Sequence, residues 1–201
     1  MAPVTLTLIA ANVIVFLLQL AAPGIVVPFA LWPLGSARFA GANVSFEPWQ
    51  LITYAFLHGG LVHIAFNMFA FYMFGGSIEQ VFGARRYLVY YFVCVVSAAV
   101  AQLAVSALSG TVYPTIGASG GVFGLLLAYA IYFPRNRIML LFPPIPMSAR
   151  TFVVVYAVLE LFFGVTGTEE GVAHFAHLGG LVGGFILLQY WRGFDALRRR
   201  P

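Results

Sequence analysis

Six apolar stretches follow one another along this chain of 201 residues, separated by shorter polar segments. Because 62% of the residues are hydrophobic and only 8% are charged, a water-soluble fold would expose too much apolar surface. An apolar run of about 20 residues lets a helix cross the hydrocarbon core of a bilayer. The sequence therefore predicts an all-α membrane protein, a single domain over residues 1–201 with six transmembrane helices. The predicted spans are residues 4–22, 51–74, 87–108, 119–133, 151–164 and 172–191.

The positive charges indicate which side of the membrane each loop faces. All ten basic residues are arginines, and nine of them lie in alternate loops or at the C-terminus, at positions 85, 86, 135, 137, 150, 192, 198, 199 and 200. Cytoplasmic loops of membrane proteins carry such an excess of positive charge. We expect both termini in the cytoplasm. The net charge of +4 is then explained by topology and lipid headgroups, and nucleic acid is not an expected partner.

The fourth apolar stretch is too short to cross a membrane. It runs from Ser119 to Phe133 and stops at Pro134. A helix of this length reaches about 22 Å, whereas the hydrocarbon core is about 30 Å thick. We therefore expect a short recessed fourth helix that begins several Å below the membrane surface, with Ser119 at its buried end.

Ser119 belongs to the small-residue sequence Gly117-Ala118-Ser119-Gly120. At a helix N-terminus, free backbone N–H groups and the positive end of the helix dipole stabilise a developing oxyanion. Ser119 is accordingly a candidate nucleophile. Serine is also a favoured N-cap and glycines allow close helix packing, so a purely structural role remains an alternative for the tetrapeptide alone.

His177 in the sixth stretch is the candidate partner of Ser119, since a buried serine and a buried histidine together can perform acyl transfer. Gly180 and Gly184 follow it, and small residues four positions apart let another helix backbone approach closely. If they pack against the helix that begins at Ser119, serine and imidazole meet. A structural hydrogen bond is the alternative role for His177.

Three further polar residues lie inside apolar stretches. His63 and Asn67 are four positions apart, on one face of the second helix, where they could act in a site or bond two helices together. Glu160 lies inside the fifth stretch, where we expect it to be protonated, paired or near the outer end of its helix. No spacing connects Glu160 to His177, so the sequence gives it no catalytic role.

These motifs together resemble the rhomboid intramembrane serine proteases in their six-span form, over nearly the whole chain. Each motif is short, but their order along the chain makes the combination specific. They are His58 with His63-x-x-x-Asn67, Glu79-x-x-x-Gly83, Gly117-Ala118-Ser119-Gly120, and Ala176-His177-x-x-Gly180-x-x-x-Gly184.

The resemblance implies a serine endopeptidase that cleaves transmembrane segments of membrane-protein substrates in the lipid bilayer, without metal or cofactor. Ser119 would be the nucleophile and His177 the general base of a dyad that lacks a carboxylate. His63, Asn67 and the backbone N–H of Ser119 would form the oxyanion hole, and Gly180 with Gly184 would hold the two helices together. By analogy, the expected location is a prokaryotic inner membrane.

Two positions depart from patterns common in the family. The first loop, residues 24–49, is rich in aromatic residues and is expected to lie at the membrane interface. Trp49-Gln50 stands at its end where many members have Trp-Arg. Phe123 stands four residues after Ser119, where some members have a tyrosine, and it can stack on His177 without donating a hydrogen bond.

Two other functions compete with the protease. A catalytically silent chaperone or trafficking factor could share the fold, although such relatives typically lack the serine or the histidine that this chain keeps. A metal-dependent membrane protein would use His63, His174 and His177 as ligands, with Glu160 as a candidate fourth. The chain has no His-Glu-x-x-His motif, and the segment from His174 to His177 lacks an acid to activate a metal-bound water.

Overall fold

The computed structural model describes residues 2–39, 42–110, 113–139, 144–167 and 173–198, most of which are helical. The arginines at positions 199 and 200, which contribute to the predicted topology, lie outside these ranges. A turn of π-helix, Phe71–Gly75, joins α4 directly to α5. Within the described ranges the α-helices are α1 (Pro3–Ala21), α2 (Val26–Phe29), α3 (Gln50–Thr53), α4 (Leu61–Ala70), α5 (Gly76–Ser109), α6 (Ser119–Tyr132), α7 (Ala149–Thr166) and α8 (His174–Arg198).

Three apolar stretches of the described chain are long enough to cross a membrane: α1, the continuous helical run Leu61–Ser109, and α7. Helix α6 is also apolar but has only 14 residues. Many large hydrophobic side chains of α1 and α7 are exposed on the outside of the protein, where only a lipid environment removes them from water. The protein is therefore an integral membrane protein.

The long run Leu61–Ser109 is two antiparallel helices joined by a sharp turn at Gly83. Gly83 has φ +73° and ψ 160°, a conformation outside the helical region that glycine adopts readily. The rings of Phe71 and Tyr91 have centroids only 5.0 Å apart, whereas 20 residues of straight helix would separate them by about 30 Å. The chain thus reverses between the predicted second and third spans.

The second predicted span, residues 51–74, differs from the structure. Residues 51–60 form most of α3, a 3-10 turn (Tyr54–Phe56) and an extended segment, and the long helix begins only at Leu61. Gln19 of α1 holds the extended segment: its Nε2 donates to the carbonyl of His58 (3.1 Å) and its Oε1 accepts from the N–H of His58 (2.9 Å). Hydropathy alone did not reveal this break because residues 51–57 are as apolar as the helix.

In the part of the chain that the structure describes, two short β-hairpins interrupt the helices, and the sequence did not predict them. Strand β1 (Ser36–Phe39) pairs antiparallel with β2 (Ala42–Ser45), and β3 (Arg137–Met139) pairs antiparallel with β4 (Pro146–Ser148). The first hairpin lies in the loop before α3, and the second connects α6 to α7. Strands of three or four residues are too short to give an alternating hydrophobic pattern that sequence could reveal.

The loop before α3 is folded around the side chain of Gln50. Its Oε1 accepts from the N–H groups of Trp32 and Glu47, both at 3.2 Å, and its Nε2 donates to the carbonyls of Pro28 (3.3 Å) and Ser45 (3.4 Å). Gln50 is only 1% exposed. A neutral amide, with both an acceptor and donors, thus ties together the segments that precede it.

The tryptophans of this loop have different surroundings. Trp32 is buried, and its Nε1 donates to the carbonyl of Val27 (2.7 Å). Trp49 is 50% exposed, and its Nε1 donates to the carbonyl of Pro28 (2.9 Å). Trp49, unlike Trp32, therefore has the exposed placement expected of a residue at the membrane interface.

Candidate active site

Ser119 is the first residue of α6, and it follows a loop in which position 117 requires glycine. Gly117 has φ +129°, and a Cβ on it would lie 2.8 Å from Nε2 of His63. The first backbone hydrogen bond of α6 runs from the N–H of Val122 to the carbonyl of Ala118 (3.0 Å). The helix therefore does not use the N–H groups of residues 119–121, which are available at its N-terminus.

His177 of α8 contacts Ser119 directly. Its Nε2 lies 2.7 Å from the Oγ of Ser119, although the two residues are 58 positions apart in the sequence. His177 is buried, and the ring of Phe123 lies directly beside it. A hydroxyl at this distance from an imidazole nitrogen can pass its proton to that nitrogen when the nitrogen carries a lone pair.

Phe123 fixes the plane of the imidazole. Its ring is stacked on that of His177, with centroids 4.4 Å apart and planes inclined by only 6°. Because α6 advances one turn between Ser119 and Phe123, the same helix presents the hydroxyl and the stacking ring to His177. The phenylalanine thus performs the stacking that the sequence predicts, without a hydroxyl of its own.

Helices α6 and α8 meet through glycine. A Cβ at Gly180 would overlap the carbonyl of Gly120, and one at Gly124 would lie 3.4 Å from the carbonyl oxygen of Gly180. Gly184 was expected to serve the same contact, but a Cβ there would instead lie 2.5 Å from the hydroxyl of Tyr90 in α5. That hydroxyl donates to the carbonyl of Gly124 in α6 (2.7 Å), so Gly184 lies where α5, α6 and α8 meet.

A second pair of glycines, not singled out from the sequence, packs the other face of α8. A Cβ at Gly179 would collide with the side chain of Ala101, and one at Gly183 with the side chain of Ser97. Both neighbours belong to α5. Helix α8 is therefore held closely against α5 as well as α6, which fixes the position of His177 from two sides.

His63 borders the space in front of Ser119. The N–H of Gly59 donates to its Nδ1 (3.3 Å), so Nδ1 is an acceptor and the ring proton is on Nε2. That Nε2 faces Gly117: a Cβ there would lie 2.8 Å from it and 3.7 Å from the Oγ of Ser119. A hydrogen-bond donor and the serine hydroxyl therefore face the same small space.

Asn67 is buried one helical turn after His63, and its Nδ2 donates to the backbone carbonyl of His63 (3.0 Å). Among the described contacts, the amide of Asn67 makes this one hydrogen bond, which lies within its own helix α4. His58 packs its ring edge-to-face against His63, with centroids 5.1 Å apart. The three polar residues of the motif thus form one group beside the N-terminus of α6.

Glu160 is the residue that sequence reasoning missed. Its Oε2 lies 2.7 Å from Nδ1 of His174 and 2.9 Å from Nδ1 of His177. Sequence spacing does not connect Glu160 to His177, but α7 and α8 pack so that this one oxygen reaches both rings, and Glu160 is paired, one of the states expected from the sequence. The available indication was an acid within an apolar stretch, which is costly to bury without a partner.

The metal-site alternative finds part of its ligand set together. The possible ligand atoms of Glu160, His174 and His177 all lie within 4.8 Å of one another. His63, the other ligand considered from the sequence, faces Gly117 and is not in this group. We refer to Glu160, His174 and His177 as the acid–histidine cluster.

A protein-family model for the Rhomboid domain matches residues 45–193. The chain belongs to the rhomboid family. The matched region of the rhomboid domain begins within β2 and includes α3 to α7 and most of α8, so all the residues described above at the site lie inside it.

Curated relatives agree with this assignment. The chain is 33% identical over 140 residues to "Rhomboid protease GluP" of Bacillus subtilis, covering 70% of this chain and 25% of that protein. It is 29% identical over 194 residues to "Rhomboid protease GlpG" of Serratia proteamaculans, covering 94% and 62%. A plant relative, "RHOMBOID-like protein 4" of Arabidopsis thaliana, is 31% identical over 149 residues, covering 70% and 33%. This rhomboid chain thus spans less than two thirds of the length of each of them.

Proposed function

We propose that the protein is an intramembrane serine endopeptidase that hydrolyses a peptide bond in or beside a transmembrane segment of another membrane protein. The observation that carries the proposal is the 2.7 Å contact between Ser119 Oγ and His177 Nε2. Two bacterial relatives are named as rhomboid proteases, which supports the same activity.

The first half of the reaction forms an acyl-enzyme on Ser119. Nε2 of His177 takes the hydroxyl proton while Oγ attacks the carbonyl carbon of the scissile bond. The tetrahedral intermediate collapses when the protonated His177 returns that proton to the leaving amine. A water molecule, deprotonated by the same nitrogen, then attacks the ester carbonyl and releases the second product with Ser119 restored.

The oxyanion of the intermediate needs donors that face it before the reaction begins. The backbone N–H of Ser119 and the Nε2–H of His63 are the donors best supported by geometry, since both adjoin the space in front of Oγ. We assign Asn67 to the same hole through its second amide hydrogen. Its first hydrogen bonds the carbonyl of His63, which fixes the amide on this side of the helix.

The protease would have the six-span form, with one domain over residues 1–201 and α6 recessed below the outer surface. The 14 residues of α6 support a recessed position, since such a helix reaches only about 21 Å. The arginines support cytoplasmic termini, and the bacterial relatives support a prokaryotic cell membrane. The lipid bilayer and transmembrane substrates would then be the partners.

Substrate must reach Ser119 from within the membrane, and α7 is the helix best suited to move aside. Only Ala149, Val153 and Glu160 of α7 are buried, whereas its remaining apolar side chains are exposed or half-buried. Few buried contacts permit local opening at low cost. The substrate helix must also unwind near the cut, because an intact helix cannot present an extended backbone to the serine.

A cross-link tests the gate. A disulfide between cysteines introduced into α4 and α7 should abolish cleavage of a transmembrane reporter in proteoliposomes, and a thiol reductant should restore it. The native Cys94 is buried and does not interfere. Cleavage at an unchanged rate in the oxidised protein would contradict gating by α7.

The activity itself is tested with the same reporter. Wild type should cleave it in the presence of a strong chelator, whereas Ser119→Ala and His177→Ala should not. Cleavage that persists in Ser119→Ala would reject the nucleophile, and cleavage abolished by the chelator would favour the metal-dependent alternative.

A further inference from the structure

We propose that Glu160 is a positioning residue for His177: its carboxylate holds the ring with a proton on Nδ1, so that Nε2 carries the lone pair that faces Ser119. This inference rests on the proposed protease function and adds a carboxylate to a dyad that the resemblance describes without one. Three groups from three helices would then act in line, from Ser119 of α6 through His177 of α8 to Glu160 of α7.

The distances support a proton on Nδ1 of His177. Nε2 of His177 lies 2.7 Å from the serine oxygen, and Nδ1 of the same ring lies 2.9 Å from Oε2 of Glu160. An ionised carboxylate accepts hydrogen bonds and cannot donate them. It therefore favours the histidine tautomer with the proton on the facing Nδ1. That tautomer leaves Nε2 free to accept the serine proton.

The contact is short but not linear. The Nδ1–H of His177 does not point at an acceptor with hydrogen-bond geometry in the described structure. Contacts that operate during catalysis are often misaligned without substrate and become aligned when substrate binds. A carboxylate at 2.9 Å also stabilises the positive charge that His177 acquires when it takes the serine proton.

His174 holds the carboxylate in place. Its Nδ1 lies 2.7 Å from the same Oε2, with hydrogen-bond geometry. His174 and His177 are three residues apart on α8, so both rings face α7 at the level of Glu160. Glu160 is only 9% exposed, and a carboxylate this buried requires such partners.

The spacing within the acid–histidine cluster favours hydrogen bonds over a metal ion. Nitrogen and oxygen ligands at 2.0–2.1 Å from a tetrahedral zinc ion are separated by roughly 3.3 Å from one another. In the cluster each histidine nitrogen is within 2.9 Å of the carboxylate oxygen. Both separations are shorter than the ligands of one zinc ion keep from one another, and the contact of His174 has hydrogen-bond geometry.

The first experiment compares the rates at which a fluorophosphonate probe labels Ser119 in the full chain in detergent. Glu160→Gln keeps the size of the side chain and removes its charge; we expect it to label at least about tenfold more slowly than wild type. Glu160→Asp should recover part of that rate. Rates normalised to folded protein that are equal for wild type and Glu160→Gln would overturn the inference.

Glu79→Gln is the matched control, since Glu79 is a buried acid with a structural role. Its carboxylate accepts from the N–H groups of Val4 (3.0 Å) and Thr5 (2.7 Å) at the start of α1. We expect Glu79→Gln to lower the unfolding temperature and leave the labelling rate per folded molecule unchanged. If Glu160→Gln shows this same pattern, Glu160 is only structural and the inference is wrong.

Nitrogen-15 NMR of wild type needs no variant, and the chain has only four histidines. The shifts should report a neutral His177 with its proton on Nδ1; a proton on Nε2 would overturn the inference. Labelling lost with a strong chelator and restored by Zn²⁺ would also overturn it, because the cluster would then hold a metal. Failure of wild type to label at all would instead reject the proposed protease function.

Discussion

Gly180 of α8 lies so close to the carbonyl of Gly120 in α6 that a side chain at Gly180 has no room. Gly120 follows Ser119 directly, and Gly180 lies one helical turn after His177. The contact between the two backbones therefore sets the distance between the serine oxygen and the imidazole. Packing and chemistry depend on the same pair of glycines.

Substitution of Gly180 by alanine should separate the two helices. Overpacking of this kind costs about 1–3 kcal/mol, and a displacement of about 1 Å between reacting groups can cost about 10²-fold in rate. We expect a lower unfolding temperature together with a loss of fluorophosphonate labelling per folded molecule. Gly24→Ala is the control, since a Cβ at Gly24 meets nothing within 4 Å; labelling retained in Gly180→Ala would show that the spacing tolerates a methyl group.

Removal of an oxyanion donor should slow the chemical step. His63→Ala and Asn67→Ala should each lower kcat by about 10²-fold or more, the usual effect of one such donor, with a smaller change in KM. The measurement is steady-state cleavage of a transmembrane reporter in proteoliposomes. A near-wild-type kcat for Asn67→Ala would contradict a role for Asn67 in the oxyanion hole. Its bond to the His63 carbonyl within α4 would then be purely structural.

The sequence predicted the elements of the site that depend on local spacing. His63 and Asn67 share a helix face, Ser119 begins a short helix, and His177 precedes a glycine on the contact face of α8. Each of these follows from helix periodicity or from glycine, which short stretches of sequence reveal.

The missing parts depend on how helices rotate against one another. Glu160 and His177 are distant in sequence, and hydropathy does not say which side of α7 faces α8. The closest neighbour of Gly184, the hydroxyl of Tyr90 in α5, was likewise not predicted, because it depends on how α8 packs against a third helix. The break before Leu61 coincides with Gly59-Gly60, but the hydrogen bonds from Gln19 that hold the preceding segment at His58 are tertiary contacts.

The ring of Phe123 should be required for rapid labelling of Ser119. A hydroxyl added to that ring should make no difference. An aromatic pair contributes about 0.5–1.5 kcal/mol beyond simple burial. Phe123→Leu should therefore slow labelling of Ser119 up to about tenfold, because the imidazole plane is no longer fixed. Phe123→Tyr should label like wild type; a large loss in Phe123→Tyr would mean that the space beside His177 accepts no extra atom.

Gln50 should stabilise the first loop through its amide. Gln50→Leu removes the oxygen that accepts from the N–H groups of Trp32 and Glu47, and the loss of an acceptor for a buried donor costs about 1–3 kcal/mol. Thermal unfolding in detergent should show the loss, and hydrogen exchange should localise it to residues 28–50. The control is Gln102→Leu, since Oε1 of Gln102 has no partner among the described residues; equal effects of the two substitutions would contradict the assignment.

Fluorophosphonate labelling of the purified wild type, Ser119→Ala and His177→Ala is the most direct test of the site, because it requires no knowledge of the substrate. The account predicts that wild type is labelled and that neither variant is, because the probe needs both the hydroxyl and the imidazole that lies 2.7 Å from it. Folded wild type that remained unlabelled would contradict an activated serine and would favour the chaperone-like function.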